Sequence, residues 1–195
     1  MKETRTTITG IILAGGKSSR MGQDKGFLKL KGETFMSYII EALKPIVGDI
    51  IIVSNNLDYD VFKLKRVADV MEDSGPLAGL YAGLLHSETE NNFVLSCDVP
   101  LVTTSVLKKL IEEFTPEAEV IQFESQGKTM PLVAMYKRHC IHPILKLLQT
   151  GERRLQFAVD QLEVKTIQLD PELGKTVRNI NTIEELKELK HEFEN

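Results

Sequence analysis

Glycines, hydroxyls, an arginine and lysines crowd one stretch near the amino terminus: Gly15, Gly16, Lys17, Ser18, Ser19, Arg20 and, after Met21-Gly22-Gln23-Asp24, Lys25. A nucleotide's polyphosphate needs these groups from a single loop. Glycines let main-chain N–H groups approach oxygens closely and form an anion-binding nest. Arg20 offers a planar fork for phosphate, and Lys25 a mobile point charge. The spacing matches neither GxxxxGK[ST] nor GxGxxG, the two common nucleotide fingerprints. Further along, Asp98 closes an apolar run at residues 93–97 and precedes Val99-Pro100. A carboxylate so placed can hold magnesium through its oxygens, or it can simply cap a turn.

These groups need a scaffold that brings them together. Residues 8–14 are an apolar, β-branched run of strand length, stopped by the paired glycines, and residues 50–53 and 93–97 read as further buried strands. Between them lie helical patterns. Thr34 caps a helix with Phe35, Met36, Ile39, Ile40 and Leu43 on one side, ended by Pro45 and Gly48. Residues 75–85 open a helix with Pro76 near its first turn, and Gly79 and Gly83 share one of its faces. Close helix–sheet packing is the preferred explanation of Gly83. Thr103 or Thr104 caps another helix, with Val106, Leu107, Leu110, Ile111 and Phe114 apolar. Residues 29–32 form a turn-like break, 59–65 a short helix and 67–70 a short extended segment. The alternation implies an α/β fold: a single three-layer Rossmann-like domain over residues 1–195 with a mostly parallel sheet. Ligands in such sheets sit beyond the carboxyl ends of the strands. The glycine-rich loop, Ser54-Asn55, Asp69 and Asp98 all fall at such ends in chain order.

The last third is less regular. Residues 118–123 and 130–136 read as strands around a polar turn at 125–128, residues 141–148 as a helix broken by Gly151, and Glu152 as the start of another. Residues 164–169 alternate as a strand, and the final helix runs from 183 to 193, capped within Asn179-Ile180-Asn181-Thr182. With 195 residues, 42% hydrophobic and 27% charged, the chain suits one globular domain. A net charge of -4 argues against nonspecific nucleic-acid binding. Residues 1–7 do not open a signal peptide, and no apolar run approaches membrane-spanning length. The expectation is a cytoplasmic protein with reduced thiols at Cys97 and Cys140. Cys97 reads as a small buried residue, and the four histidines have no metal-ligand spacing.

Over its full length the string LAGGxSxRMGxDK, carried by Leu13, Ala14, Gly15, Gly16, Ser18, Arg20, Met21, Gly22, Asp24 and Lys25, resembles the signature loop of nucleotidyltransferases that consume a nucleoside triphosphate and release pyrophosphate. Among these it is most similar to the molybdenum cofactor guanylyltransferases. The resemblance implies that main chain from Leu13 to Gly16 holds nucleoside and phosphates while Arg20 and Lys25 neutralise charge. Ser96-Cys97-Asp98-Val99-Pro100 resembles that family's C-D-x-P element, which implies Mg2+ on Asp98. Asn179-Ile180-Asn181-Thr182 resembles N-x-N-T, which implies Asn181 near the same ion, with an ordinary helix cap as the even alternative. Asp69 with Gly75-Pro76-Leu77-Ala78-Gly79 resembles D…GPLAG, whose aspartate and main chain, Gly79 included, face the nucleoside; Asp73 competes with Asp69. Either Ser54 or Asn55 would contact ribose or base, and plain turn residues explain them as well.

Two cations at a helix start, Arg153 and Arg154, run against the helix dipole and hint at a bound anion. The resemblance implies the phosphate or pterin side of the acceptor, and a solvated pair bridged to Glu152 or Asp160 is an equal reading; residues 128–131 would border the same pocket. The implied substrates are GTP and molybdenum-molybdopterin, with cofactor-biosynthesis proteins and acceptor apoenzymes as partners. Residues 1–100 would form the nucleotide-binding half and 101–195 the acceptor-binding half. Two other readings stay open: a related transferase using CTP or a sugar or polyol phosphate, and a nucleotide-binding adaptor without turnover.

Overall fold

The computed structural model describes residues 8–15, 24–69 and 75–192. Gly16, Ser18, Arg20, Met21 and Gly22, together with Glu72 and Asp73, lie outside the described residues.

Strand β1 (Ile8–Leu13) comes first. A 3-10 turn at Lys25–Phe27 then leads into a hairpin of β2 (Lys29–Leu30) and β3 (Glu33–Thr34). Helix α1 (Phe35–Leu43), β4 (Asp49–Val53), a 3-10 stretch at Leu57–Phe62, β5 (Lys65–Val67), α2 (Gly75–His86) and β6 (Asn91–Ser96) follow. After them come α3 (Thr104–Glu112), β7 (Val120–Ser125), β8 (Lys128–Lys137), α4 (Ile141–Gln149), α5 (Leu155–Val159), β9 (Val164–Gln168), α6 (Pro171–Thr176) and α7 (Ile183–Glu192).

Seven strands form one sheet in the order β5-β4-β1-β6-β8-β7-β9. β8 runs antiparallel to both its neighbours, and the other pairings are parallel. Because side chains alternate along a strand, β1 feeds two cores. Ile12 packs with Met36, Ile39, Val106 and Leu110 of α1 and α3, whereas Ile11 and Leu13 pack with Leu77 and Leu80 of α2 and with α4 and α5. These are the three layers expected from the sequence. At Gly83 a Cβ would run into the Ile11 side chain, so α2 lies on β1 more closely than any other residue would allow. The chain steps outward from β1 to β4 and β5, then returns to place β6 on the other side of β1. The sheet strands that follow β1 and β6 in the chain thus lie on opposite sides of that pair, the arrangement that leaves a crevice at their carboxyl ends.

A third, smaller core joins distant parts of the chain. Leu28, Leu30 and Phe35 from the hairpin region pack against Ile180, Leu186 and Leu189 at and within α7. Burying each such side chain contributes roughly 1.5–3 kcal/mol. The cluster fixes the segment just after Lys25 against the segment just before Asn181.

Several local expectations need correction. The break at 29–32 is a hairpin, with Lys31 and Gly32 at φ of 49° and 91° in its turn. The helix expected at 59–65 is a 3-10 stretch at Leu57–Phe62, and the extended segment expected at 67–70 is β5 two residues earlier. Helix α6, capped by Asp170 onto the N–H of Leu173, had no counterpart in the sequence reading, because its six residues carry no full apolar stripe. The helix expected to open at Glu152 starts at Leu155. Among the described residues no helix is long and apolar enough to cross a membrane.

Candidate functional site

The parallel ladder continues one step past β1. Ala14 donates its N–H to the Val53 carbonyl at 2.9 Å, and Cys97 donates to the Leu13 carbonyl at 3.0 Å. The main chain thus leaves β1 at Ala14-Gly15 beside the point where β6 passes into Cys97-Asp98. A cleft of about 510 Å³ opens there. Its walls include Leu13, Ala14 and Gly15 from β1, Ser54, Asn55 and Asn56 after β4, Asp69 after β5, and Gly75, Pro76 and Gly79 of α2. Leu132, on β8, closes the far side. Because β8 runs antiparallel to β6, its beginning lies toward the carboxyl end of β6, and Leu132 is the residue of β8 that lines the cleft.

At the centre, Lys25 Nζ lies 3.0 Å from Asp98 Oδ2 and 2.5 Å from Asn181 Oδ1. Their sequence separations show how much of the fold this point depends on. Lys25 is presented by the 3-10 turn, where the Asp24 carboxylate accepts the Gly26 N–H at 3.1 Å. Asp98 is held at the end of β6, and one of its oxygens also accepts a short hydrogen bond from the Ser96 hydroxyl. Asn181 is delivered by Ile180, which is 1% exposed and donates its N–H to the Asp98 carbonyl at 2.8 Å. The helix-cap alternative for Asn181 is answered locally. Thr182 Oγ1 accepts the Glu185 N–H at 3.1 Å, and Glu185 Oε2 accepts the N–H groups of Asn181 and Thr182. This is a capping box around Thr182, so the Asn181 side chain is released to face Lys25.

Asp98 and Lys25 have side chains only 12% and 20% exposed, so their attraction is less screened than that of a surface pair. The two oxygens of Asp98 and Asn181 converge on one cationic atom. Hard oxygen donors so arranged fit magnesium.

At the other end of the cleft, Asn55 Oδ1 accepts the Asp69 N–H at 2.9 Å, which ties the ends of β4 and β5 together. Ser54 is buried, with its Oγ accepting the Asn56 N–H at 3.1 Å, whereas Asn55 is exposed, and both line the cleft. Gly79 differs from Gly83. A Cβ there would meet only Leu13 and Val53 side chains at 3.6–3.9 Å, an ordinary contact.

Sequence reasoning missed roles for Asp24, Asn56 and Tyr59. Asn56 Nδ2 donates to Asp24 Oδ2 at 3.3 Å, and the Tyr59 hydroxyl donates to Asp24 Oδ1. Asp24 stood within the glycine-rich string, but nothing local in sequence shows a tyrosine so far along reaching it.

Arg154 is paired with Glu152 at 2.7 Å and stacks over Phe157, with its side chain 73% exposed. The Glu152 carboxylate accepts the N–H groups of Arg153 and Arg154 at 2.9 and 2.8 Å. Those bonds, led by the Arg154 guanidinium, hold its pKa down to about 2. The anion that two cations at a helix start called for is thus supplied by Glu152 itself. Arg153 differs in place: its main-chain carbonyl lies 3.6 Å from where a Gly75 Cβ would be, at the cleft wall.

Cys97 is buried, and desolvation with the nearby Asp98 charge pushes its thiol up to about 12. It is a neutral thiol at physiological pH. Away from the cleft, at the amino ends of the parallel strands, His139 bridges Glu119 at 2.8 Å and Glu90 at 3.3 Å.

Comparison with known proteins agrees with this geometry. The MobA-like NTP transferase domain family matches residues 10–165. A "probable molybdenum cofactor guanylyltransferase" of Flavobacterium johnsoniae is 35% identical over 94% of this chain and 96% of its own length. The molybdenum cofactor guanylyltransferase of Desulfosudis oleivorans is 34% identical over 92% and 93%. The crystal structure of molybdopterin-guanine dinucleotide biosynthesis protein A from Archaeoglobus fulgidus superposes with a TM-score of 0.80 at 22% identity, over 95% of this chain and 98% of that one, and shares the fold. Strand ends that converge on one cleft, on a chain this similar along nearly its whole length, place it in the molybdenum cofactor guanylyltransferase family of MobA-like NTP transferases.

Proposed function

We propose that this chain transfers GMP from GTP to the phosphate of molybdenum-molybdopterin, forming the guanine dinucleotide form of the cofactor and releasing pyrophosphate. The observation that carries the reading is that Lys25 and Asp98 meet in the lining of the cleft between β1 and β6 and that Asn181 joins them through Lys25. A mere nucleotide binder has little need of a lysine, an acid and an amide oxygen gathered at one point.

In this mechanism the guanosine lies against Asn55, Asp69 and Gly79, and the triphosphate against main chain at Leu13, Ala14, Gly15 and Gly16. A carboxylate at Asp69 suits guanine, since it accepts from N1–H and N2–H together. An oxygen of the acceptor phosphate attacks the α-phosphorus. The new P–O bond forms as the bond from the α-phosphorus to the bridging oxygen breaks, and pyrophosphate leaves with the electron pair. Lys25 and Arg20 neutralise the charge that moves onto the leaving group. No general base is needed, because the acceptor phosphate is already ionised at neutral pH. Asp98 and Asn181 would hold magnesium, which supplies further charge neutralisation on phosphate oxygens when bound. Arg153, whose main chain borders the cleft wall, is the better placed of the two arginines to meet the acceptor; Arg154 is engaged with Glu152. The reaction belongs in the cytoplasm, where both buried thiols stay reduced.

The test is direct. Protein, magnesium, molybdenum-loaded molybdopterin and GTP should yield pyrophosphate and a GMP-containing dinucleotide. Turnover with CTP and none with GTP would replace the donor, and GTP binding with no product under any acceptor would favour the adaptor reading.

A further inference from the structure

We propose that Tyr59 is a positioning residue for Lys25, acting through Asp24. The Tyr59 side chain is fully buried, and its hydroxyl donates a short hydrogen bond to Asp24 Oδ1. Burial raises the phenol's pKa well above its ordinary value, so the group stays a donor at any working pH. The same Asp24 oxygen accepts the Gly26 N–H, and the other accepts from Asn56 Nδ2. Asp24 is thereby fixed on both sides, and the residue that follows it is Lys25.

The fit around the hydroxyl shows that the contact is built in. A Cβ on Gly26 would lie 2.8 Å from Cε1 of Tyr59, and closer still to its oxygen, so only glycine lets the turn lie against the ring. Phe27, on the same turn, packs on the Tyr59 ring with centroids 4.7 Å apart, and Phe62 backs both rings. Asn56 in turn is fixed by its own neighbours: its N–H goes to Ser54 Oγ and its Oδ1 accepts the Asp58 N–H at 2.9 Å. The segment after β4 thus clamps the turn that carries Lys25. Asn55, at the nucleoside end of the cleft, is part of that segment. A lysine side chain is long and mobile, and holding its main chain limits the arc that Nζ can search.

The kinetic arm of the test rests on the guanylyl-transfer reading; the exchange arm does not. Tyr59→Phe removes the hydroxyl and keeps the ring. In the ligand-free protein, hydrogen exchange at the Gly26, Phe27 and Leu28 amides should speed up about tenfold, the effect of losing one hydrogen bond to a charged acceptor. In guanylyl transfer, kcat should fall about tenfold with KM for GTP within about twofold, the pattern of a contact that matters at the transition state. Asp24→Asn should reproduce the kcat loss, and the double variant should be no worse than either single one. A purely structural tyrosine would instead lower the unfolding midpoint and leave kcat of the folded protein alone. Wild-type exchange at these amides, or wild-type kcat, in Tyr59→Phe overturns the proposal. If the unmodified protein transfers no nucleotide, the functional reading falls, and the exchange result alone decides the role of Tyr59.

Discussion

Two glycines on one face of α2 should respond to the same substitution with opposite sign. At Gly83 an added methyl meets the Ile11 side chain well inside contact distance, with Val53 Cγ2 at 3.3 Å behind it. Ile11 is fully buried in the centre of the sheet and has nowhere to go. Overpacking of this kind costs about 1–3 kcal/mol. With a contact this close the cost falls in the upper part of that range, about 2–3 kcal/mol. Alanine returns about 0.8–1 kcal/mol through helix propensity, leaving a net loss of about 1–2 kcal/mol for Gly83→Ala. For a chain of this size that lowers Tm by roughly 2–8 °C. At Gly79 the methyl makes ordinary contacts at 3.6–3.9 Å, so the helix gain is kept and Gly79→Ala should raise Tm by about 2–3 °C. Gly79 also lines the cleft, so the stabilised variant should bind GTP more weakly, while Gly83→Ala should bind it normally at a temperature where it is folded. Thermal unfolding by circular dichroism and titration with GTP measure both. A destabilised Gly79→Ala, or a Gly83→Ala as stable as the parent, would refute the packing argument and the division of roles drawn from it.

Lys25→Ala should retain the fold and lose about a hundredfold or more in transfer rate, the size of removing one preorganised charge from a transition state; pyrophosphate release measures it. Chelation with EDTA should abolish transfer and added magnesium should restore it, and Asp98→Asn should lose this rescue over the same magnesium range. The thiols of Cys97 and Cys140 are both raised from 9.0 to about 12 by burial. The unfolded chain therefore loses these protons first, and stability should be unaffected by them below about pH 9 and decline as pH rises from there toward 12. A Cys97→Ala, Cys140→Ala double variant should show a smaller drop in urea midpoint between pH 8 and pH 10 than the parent.

The fold and one side of the site were legible because they rest on local signals. The apolar runs of β1, β4 and β6 and the stripes of α1 and α3 are continuous patterns, and a mostly parallel sheet follows from their alternation. Leu13, Ala14, Gly15, Asn55, Asp69, Gly79 and Asp98 could be gathered because each sits just after a strand or on the helix that returns from one. What was not legible depends on contacts between distant segments. Tyr59 reaches Asp24 across the first core, and the role of Asn181 is released only because Thr182 and Glu185 cap α7 between themselves. At 153–154 the bridge to Glu152, one of the two readings the sequence offered, is present, because that carboxylate folds back onto the N–H groups that follow it. Helix α6 was too short to carry a period.

The Lys25–Asp98–Asn181 contact also bears on how a nucleotide first meets the protein. A triphosphate carries several negative charges, and a bare carboxylate at the cleft floor would repel it on approach. With the ammonium drawn over Asp98, that repulsion is cancelled in advance, and encounter with the polyanion is not penalised. On the proposed reading, arriving phosphates would compete for the same ammonium and turn it away from the carboxylate, which would then be open to a divalent cation. That reading predicts nucleotide first, or nucleotide and metal together, as the order of binding, rather than metal alone.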